Sequence, residues 1–278
     1  MNTPRTPLVI AALFVLSACA SLPATAPPPP APVTPVYDHT KDMGLLWVKH
    51  AAEYQAITKQ VYRMAEAALP RYLNDTTWSA IPGQSNAERL PAAVILDVDE
   101  TVVSNVDFQL TFERPFANHK LDEWSSSYDS LAIAGVKEFV AAARAAGVTV
   151  FFVTNRPCET IEGNDDACPQ EGTTVDDIRE VGIAAEREYV MLSGEQPDWD
   201  REKLVRRELI AKTHRVIMLI GDDFGDFVPC ARAKVVAPCS MPATRASRAA
   251  DLETYAKYWG AGWYILPNPM HGSWTSVR

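Results

Sequence analysis

The chain has little positive charge to offer a polyanion. It carries 26 lysines and arginines against 35 aspartates and glutamates, a formal net charge of -9, and no basic cluster or aromatic-interleaved basic stripe interrupts that balance. A nucleic acid polymer is thereby disfavoured as a partner. Long hydrophobic runs are scarce as well: beyond the first twenty residues no stretch is long enough to cross a bilayer. Cysteine is sparse, five in 278 residues. None shows the CxxC spacing or nearby histidine partner of a zinc site. No internal repeat is evident, so no repeat architecture is indicated.

What is present first is a leader. Arg5 precedes the apolar residues 8–16, and Ser17-Ala18-Cys19 follows. The run is too short to span a membrane but fits the apolar region of a secretory signal. Leu16-Ser17-Ala18-Cys19 resembles a bacterial lipobox, which implies a signal peptide over residues 1–18 and lipidation of Cys19. An ordinary signal peptide with an incidental cysteine is the alternative. Ala20 and Ser21 are not acidic, and by the same resemblance they favour the outer membrane of a Gram-negative bacterium, with the chain periplasmic or surface-exposed. Residues 19–40 contain Pro27-Pro28-Pro29-Pro30 and read as an extended tether. Residues 41–278 remain, enough for one α/β domain.

In an oxidising compartment the other cysteines, Cys158, Cys168, Cys230 and Cys239, suggest disulfides. Three pairings are open, and locality favours Cys158 with Cys168 and Cys230 with Cys239. Residues 41–73 repeat apolar side chains at helical spacing, for one or two amphipathic helices. Residues 92–96, 148–153, 189–192 and 215–220 read as buried strands, and 135–146, 173–181 and 201–212 as helices. That alternation predicts βα units and a mostly parallel sheet.

The polar clusters fall just past the carboxyl ends of predicted strands, where open α/β sheets bind ligands. Asp97-Val98-Asp99 follows the first strand. Two anions so close repel, and burying them is costly unless a divalent cation such as magnesium compensates. A lone DxD also fits a surface turn, so the other clusters decide. Thr154-Asn155-Arg156 ends a second strand, Lys203 with Arg206 and Arg207 falls on a helix, and Gly221-Asp222-Asp223-Phe224-Gly225-Asp226 ends another strand.

In that order and spacing the four segments resemble the motifs of the haloacid dehalogenase superfamily. With the tail Leu266-Pro267-Asn268-Pro269-Met270-His271-Gly272-Ser273-Trp274 they resemble its class C bacterial acid phosphatases and 5'-nucleotidases, a group of secreted lipoproteins. The match spans about residues 43–274. It implies a Rossmann-like sheet flanked by helices, an N-terminal helical segment, a small helical cap-like insertion, and a magnesium-dependent hydrolase of small phosphomonoesters such as nucleoside monophosphates. Asp97 is then the nucleophile that forms an aspartyl-phosphate, and Asp99 the general acid and later base. Thr154 donates its hydroxyl to the phosphoryl group and Lys203 neutralises charge, with Arg201, Arg206 and Arg207 as rivals for that role.

By the same resemblance Asp97, the Asp99 backbone carbonyl and Asp222 hold the metal, backed by Asp223, Asp226, Asn155 and Arg156. Glu100 reads as structural or solvent-facing. Phe108, Trp124, His271 and Trp274 are the candidates for stacking on substrate, with Tyr128 behind them; ordinary packing is the alternative for each. The second aspartate favours a phosphohydrolase over a dehalogenase, which has no leaving oxygen to protonate. A nucleoside phosphotransferase and a ligand-binding surface lipoprotein are the competing functions.

Overall fold

Ala92-Ala93-Val94-Ile95-Leu96 forms strand β1, every residue of it buried, as an unbroken apolar run predicts for a central parallel strand. The structure, a computed structural model, describes residues 39–112, 116–127 and 130–277. The leader, Cys19 and most of the proline-rich tether lie outside the described residues, as does Tyr128.

Two helices, α1 (His39–His50) and α2 (Ala52–Asn74), precede β1. After it come β2 (Val103–Ser104), α3 (Val106–Thr111), α4 (Asn118–Ser125) and β3 (Leu131–Ala132). β2 and β3 pair antiparallel, and the short helices between them are the small insertion expected from the sequence. The remaining elements are α5 (Val136–Ala145), β4 (Thr149–Pro157), α6 (Pro169–Glu180), β5 (Val190–Ser193), α7 (Leu204–Thr213), β6 (Arg215–Gly221), α8 (Arg245–Thr254) and β7 (Trp263–Ile265).

The main sheet has the order β5-β4-β1-β6-β7, parallel throughout. From β1 the chain runs outward through β4 to β5, then crosses back to β6 on the other flank of β1. That reversal opens a crevice between the carboxyl ends of β1 and β6, where such sheets hold ligands. Both faces of β1 are covered. Ala93 and Ile95 pack in one layer with Phe151, Leu219 and Trp263. Val94 and Leu96 pack in the other with Phe139, Val150 and Ile178. Alternate residues thus feed opposite layers, and each fully buried aliphatic side chain contributes roughly 1.5–3 kcal/mol.

Several boundaries differ from the sequence expectation. The helix expected from Thr173 starts at Pro169, because proline at the first helical position gives up only an N–H that has no intrahelical partner. The helix expected from Arg201 starts at Leu204, so Lys203 is its N-cap rather than a residue of its body. α8 and β7 have no counterpart in the sequence reading; β7 is three residues long, too short to show alternation. Both disulfides pair locally, Cys158–Cys168 and Cys230–Cys239. Among the described residues no helix is long and apolar enough to cross a membrane.

Candidate active site

At the end of β1 the backbone turns sharply. The Val98 carbonyl accepts the N–H groups of Thr101, Val102 and Val103 at 3.2, 2.7 and 3.0 Å. Glu100 takes φ +57°, a left-handed conformation that costs a non-glycine residue roughly 1–2 kcal/mol. The turn is braced from behind by Tyr62 on α2, whose buried hydroxyl donates to the Thr101 carbonyl at 2.7 Å. Glu100 is buried rather than solvent-facing. One of its oxygens accepts the Asn105 N–H at 2.9 Å, and the other lies 2.8 Å from His271 Nε2. Asp97 keeps its own N–H in the ladder, on the Ile220 carbonyl at 2.9 Å. Both Asp97 and Asp99 line the cavity above.

β4 carries Thr154, Asn155 and Arg156 to the same place. Arg156 is buried and joins two carboxylates, Asp99 at 2.8 Å and Asp177 on α6. Asp99 also accepts from Asn105 Nδ2 at 2.8 Å and from the Thr154 hydroxyl at 3.3 Å. Burial pushes the Asp99 carboxyl up, but the charge and hydrogen bonds of Arg156 outweigh it and hold the group below the usual carboxylate range. Thr154 is fully buried, so its hydroxyl faces Asp99 and not open cavity.

The two arginines of α7 have other work. Arg206 donates to the carbonyls of Thr154 and Met191 and to Asn155 Oδ1, which ties the ends of β4 and β5 together. Arg207 donates to the carbonyls of Asp226 and Gly225. Neither competes with Lys203 for the nucleophile.

The loop leaving β6 is a single 3₁₀ turn with a reciprocal cap. Asp223 accepts the Gly225 N–H at 2.8 Å and Asp226 accepts the Asp223 N–H at 2.9 Å. Asp226 thereby folds back over Gly221, where an added Cβ would lie 2.6 Å from the Asp226 Cβ; only glycine fits. Lys203, 3% exposed, joins the two loops. Its Nζ donates to Asp97 Oδ1 and lies 2.7 Å from Asp226 Oδ1. Asp222 accepts from Asn268 Nδ2 at 2.7 Å and from the Thr101 hydroxyl at 3.3 Å. Asn268 received no role from the sequence. Its setting between two prolines was the available signal, since such an asparagine caps its own turn, here through the N–H groups of Met270 and His271.

Asp97, Asp222 and Asp226 bring carboxylate oxygens within 4.8 Å of one another, and Lys203 pairs with two of them, Asp97 and Asp226. Burial pushes Asp97 up to about 7; Lys203 opposes that rise, and Asp226 and Asp99 add to it. Burial, then Asp97, Asp226 and Glu100, push Asp222 well above its ordinary value. Lys203, despite burial, is held as a cation by Asp226 and Asp97. A hard divalent cation would relieve this crowding, and a donor set made only of carboxylate oxygens suits magnesium. The residues therefore fit such an ion. The cap turns Asp226 inward, so that its carboxylate lies beside Asp97 and Asp222 as well as on Lys203. Glu202, Cys230 and Cys239 also cluster, but the two sulfurs are bonded to each other and cannot serve as thiolate ligands.

A cavity of about 500 Å³ opens over the cluster. Of the aromatics named from the sequence, only His271 lines it among the described residues. Phe108, at 2% exposure, faces inward from α3, stacked on Phe112 at 4.8 Å and packed against Trp124 at 5.7 Å. Phe108 and Trp124 pack on each other off the lining, whereas Phe112 and Phe116, beyond the end of α3, line the cavity. Trp274 is 46% exposed but lies off the lining, its indole N–H on the His271 carbonyl at 3.1 Å.

Two comparisons bear on this arrangement. A family model described as HAD superfamily, subfamily IIIB (acid phosphatase) matches residues 31–274. Two solved structures of the class C acid phosphatase from Bacillus anthracis, one with tungstate bound, are similar at 24% sequence identity and a TM-score of 0.66, over 84% of this chain and 86% of that one. At that identity the structural match speaks to the fold alone.

Asp177 offers a test of the framework. Its carboxylate and the Arg156 guanidinium have side chains only 2% exposed, and removing one member of such a pair leaves a buried charge half compensated. Asp177→Ala is expected to lower unfolding free energy by about 3 kcal/mol in a denaturant titration. A loss under about 1 kcal/mol would mean that Asp99 alone suffices for Arg156.

Proposed function

The chain belongs to the acid phosphatases of haloacid dehalogenase subfamily IIIB and is a phosphomonoester hydrolase; from that premise we propose that it works through an aspartyl-phosphate on Asp97 and requires magnesium. The observation that supports this most is the convergence of Asp97, Asp222 and Asp226 at one crevice, with Lys203 on Asp97 and Asp226. In the first step an Asp97 oxygen bonds to phosphorus as the ester oxygen departs with a proton from the Asp99 carboxyl. In the second, Asp99 as carboxylate takes a proton from water, whose oxygen attacks phosphorus and frees Asp97 and inorganic phosphate.

Arg156 keeps Asp99 anionic at rest, the form the second step needs. For the first step Asp99 must turn from Arg156 and Thr154 and take up a proton. That turn frees the Thr154 hydroxyl to donate to a phosphoryl oxygen. Lys203 neutralises charge beside the nucleophile throughout. Asp97, Asp222 and Asp226 would hold the magnesium ion, with the Asp99 carbonyl as the further ligand the family resemblance implies. When bound, the ion supplies positive charge to the phosphoryl group. Asp223 and Asn268 set the loop and Asp222 in place. Small phosphomonoesters such as nucleoside monophosphates suit the open cavity, and its Phe112 and Phe116 wall supports an aromatic leaving group. We also propose the outer-membrane, lipid-anchored location, on the strength of Leu16-Ser17-Ala18-Cys19. A Cys19→Ala chain that still partitions with membranes would remove that proposal.

Asp97→Asn keeps the side-chain size but removes the nucleophile. Phosphate release is expected to fall at least about a thousandfold with an unchanged circular dichroism spectrum. Retention of more than a tenth of wild-type turnover would exclude Asp97. Magnesium should raise the melting temperature of metal-free protein by favouring the folded state. Because burial raises the Asp97 and Asp222 carboxyls, protons compete with the ion increasingly as pH falls below about 7. The rise is therefore expected to be larger at pH 7.5 than at pH 5, and an equal rise at both would exclude these carboxylates as ligands.

A further inference from the structure

The cavity has two unlike walls. Phe112, Phe116 and Leu121 form one, and Arg201 and Arg232 contribute to the rest. These arginines come from loops distant in sequence that Glu202 joins. The Glu202 carboxylate, itself buried, accepts the Cys230 N–H at 2.9 Å, next to Arg201 on one side and two residues before Arg232 on the other. The Cys230–Cys239 bridge closes the second loop, and the Ala243 N–H on the Arg232 carbonyl at 2.9 Å fastens it.

The other cations of the cavity are engaged. Lys203 holds Asp97 and Asp226, and Arg156 holds Asp99 and Asp177. Arg201, by contrast, is exposed; its backbone N–H donates to Asp200 Oδ1, and its guanidinium makes no hydrogen bond or ion pair among the described residues. Among the described residues Arg232 has only Asp223, at 3.7 Å, beyond hydrogen-bond range. Asp223 Oδ1 already accepts the Gly225 N–H, and Oδ2 accepts that of Ser273. Two guanidiniums with donors to spare therefore face a cavity whose reaction centre already has its own cation in Lys203. A guanidinium fork matches the paired oxygens of carboxylate or phosphate.

We propose that Arg201 and Arg232 form a second anion subsite, which selects phosphomonoesters whose leaving group carries a further carboxylate or phosphate. The inference deepens the hydrolase reading above and rests on it.

The test compares initial phosphate release from glycerol 3-phosphate, 3-phosphoglycerate and 2,3-bisphosphoglycerate, which carry no extra anion, a carboxylate, and a carboxylate with a phosphate. The wild-type enzyme should prefer an anion-bearing ester in kcat/KM, and whichever of the two gains most names the group recognised. Arg201→Ala and Arg232→Ala should each reduce that preference by about tenfold, mainly through KM, while Arg→Lys at either position should restore part of it. A wild-type enzyme without preference, or alanine variants that slow all three esters equally, would overturn the proposal. If the wild-type enzyme releases phosphate from none of them, the hydrolase reading fails for these esters and calorimetry judges the subsite alone. With Asp97→Asn protein and magnesium, tighter binding of 3-phosphoglycerate than of glycerol 3-phosphate, lost in the added Arg201→Ala variant, would support it. Equal binding would overturn it.

Discussion

The structure depends on crowding negative charge at the ends of parallel strands and then containing it. Asp97 follows β1; Asp222 and Asp226 follow β6. The sheet order makes those two strands neighbours, so the carboxylates meet by topology and not by any local motif. Among the described residues Lys203 is the cation that joins the two loops. It pairs with two of the three carboxylates, and burial, helped by the neighbouring acids, pushes Asp97 and Asp222 upward. A site built this way is poised for a cation and for a substrate whose charge the cation shares.

Around that centre three buried arginines act as fasteners. Arg156 links the β1 turn to α6 through Asp99 and Asp177, Arg206 ties the ends of β4 and β5, and Arg207 grips the β6 loop. Burial pushes the guanidiniums of Arg206 and Arg207 down to about 10, yet both remain charged at neutral pH. Backbone carbonyls at strand ends have no ladder partner left, and a guanidinium with five donors can satisfy several at once. The loops that carry the chemistry are thus held through their main chain, which leaves their side chains available for the site.

Much of this was legible in the chain itself. The run from Ala92 to Leu96 followed by Asp97-Val98-Asp99 announces a buried strand with acids at its end, and Gly221 to Asp226 repeats the pattern. The helical insertion and the local disulfides were equally readable. What escaped depended on contacts between distant segments. Phe108 and Phe112 look alike in sequence, and only the end of α3 decides that one is core and the other cavity wall. Asn268 acts on Asp222 across 46 positions, and Arg206 reaches Thr154 across 52; no periodicity records such pairs. For Glu100 the sequence left a structural and a solvent-facing role open; the left-handed turn that carries it inward to Asn105 and His271 decides for the structural one.

The brace that Tyr62 places on the Thr101 carbonyl has one more consequence. It comes from α2, upstream of the first sheet strand, in a stretch easily mistaken for a spacer between tether and catalyst. The spacer must therefore stop before α2 begins. A shortened chain that starts at β1 would retain every acidic residue of the site and still lose the rear support of the turn that aims them.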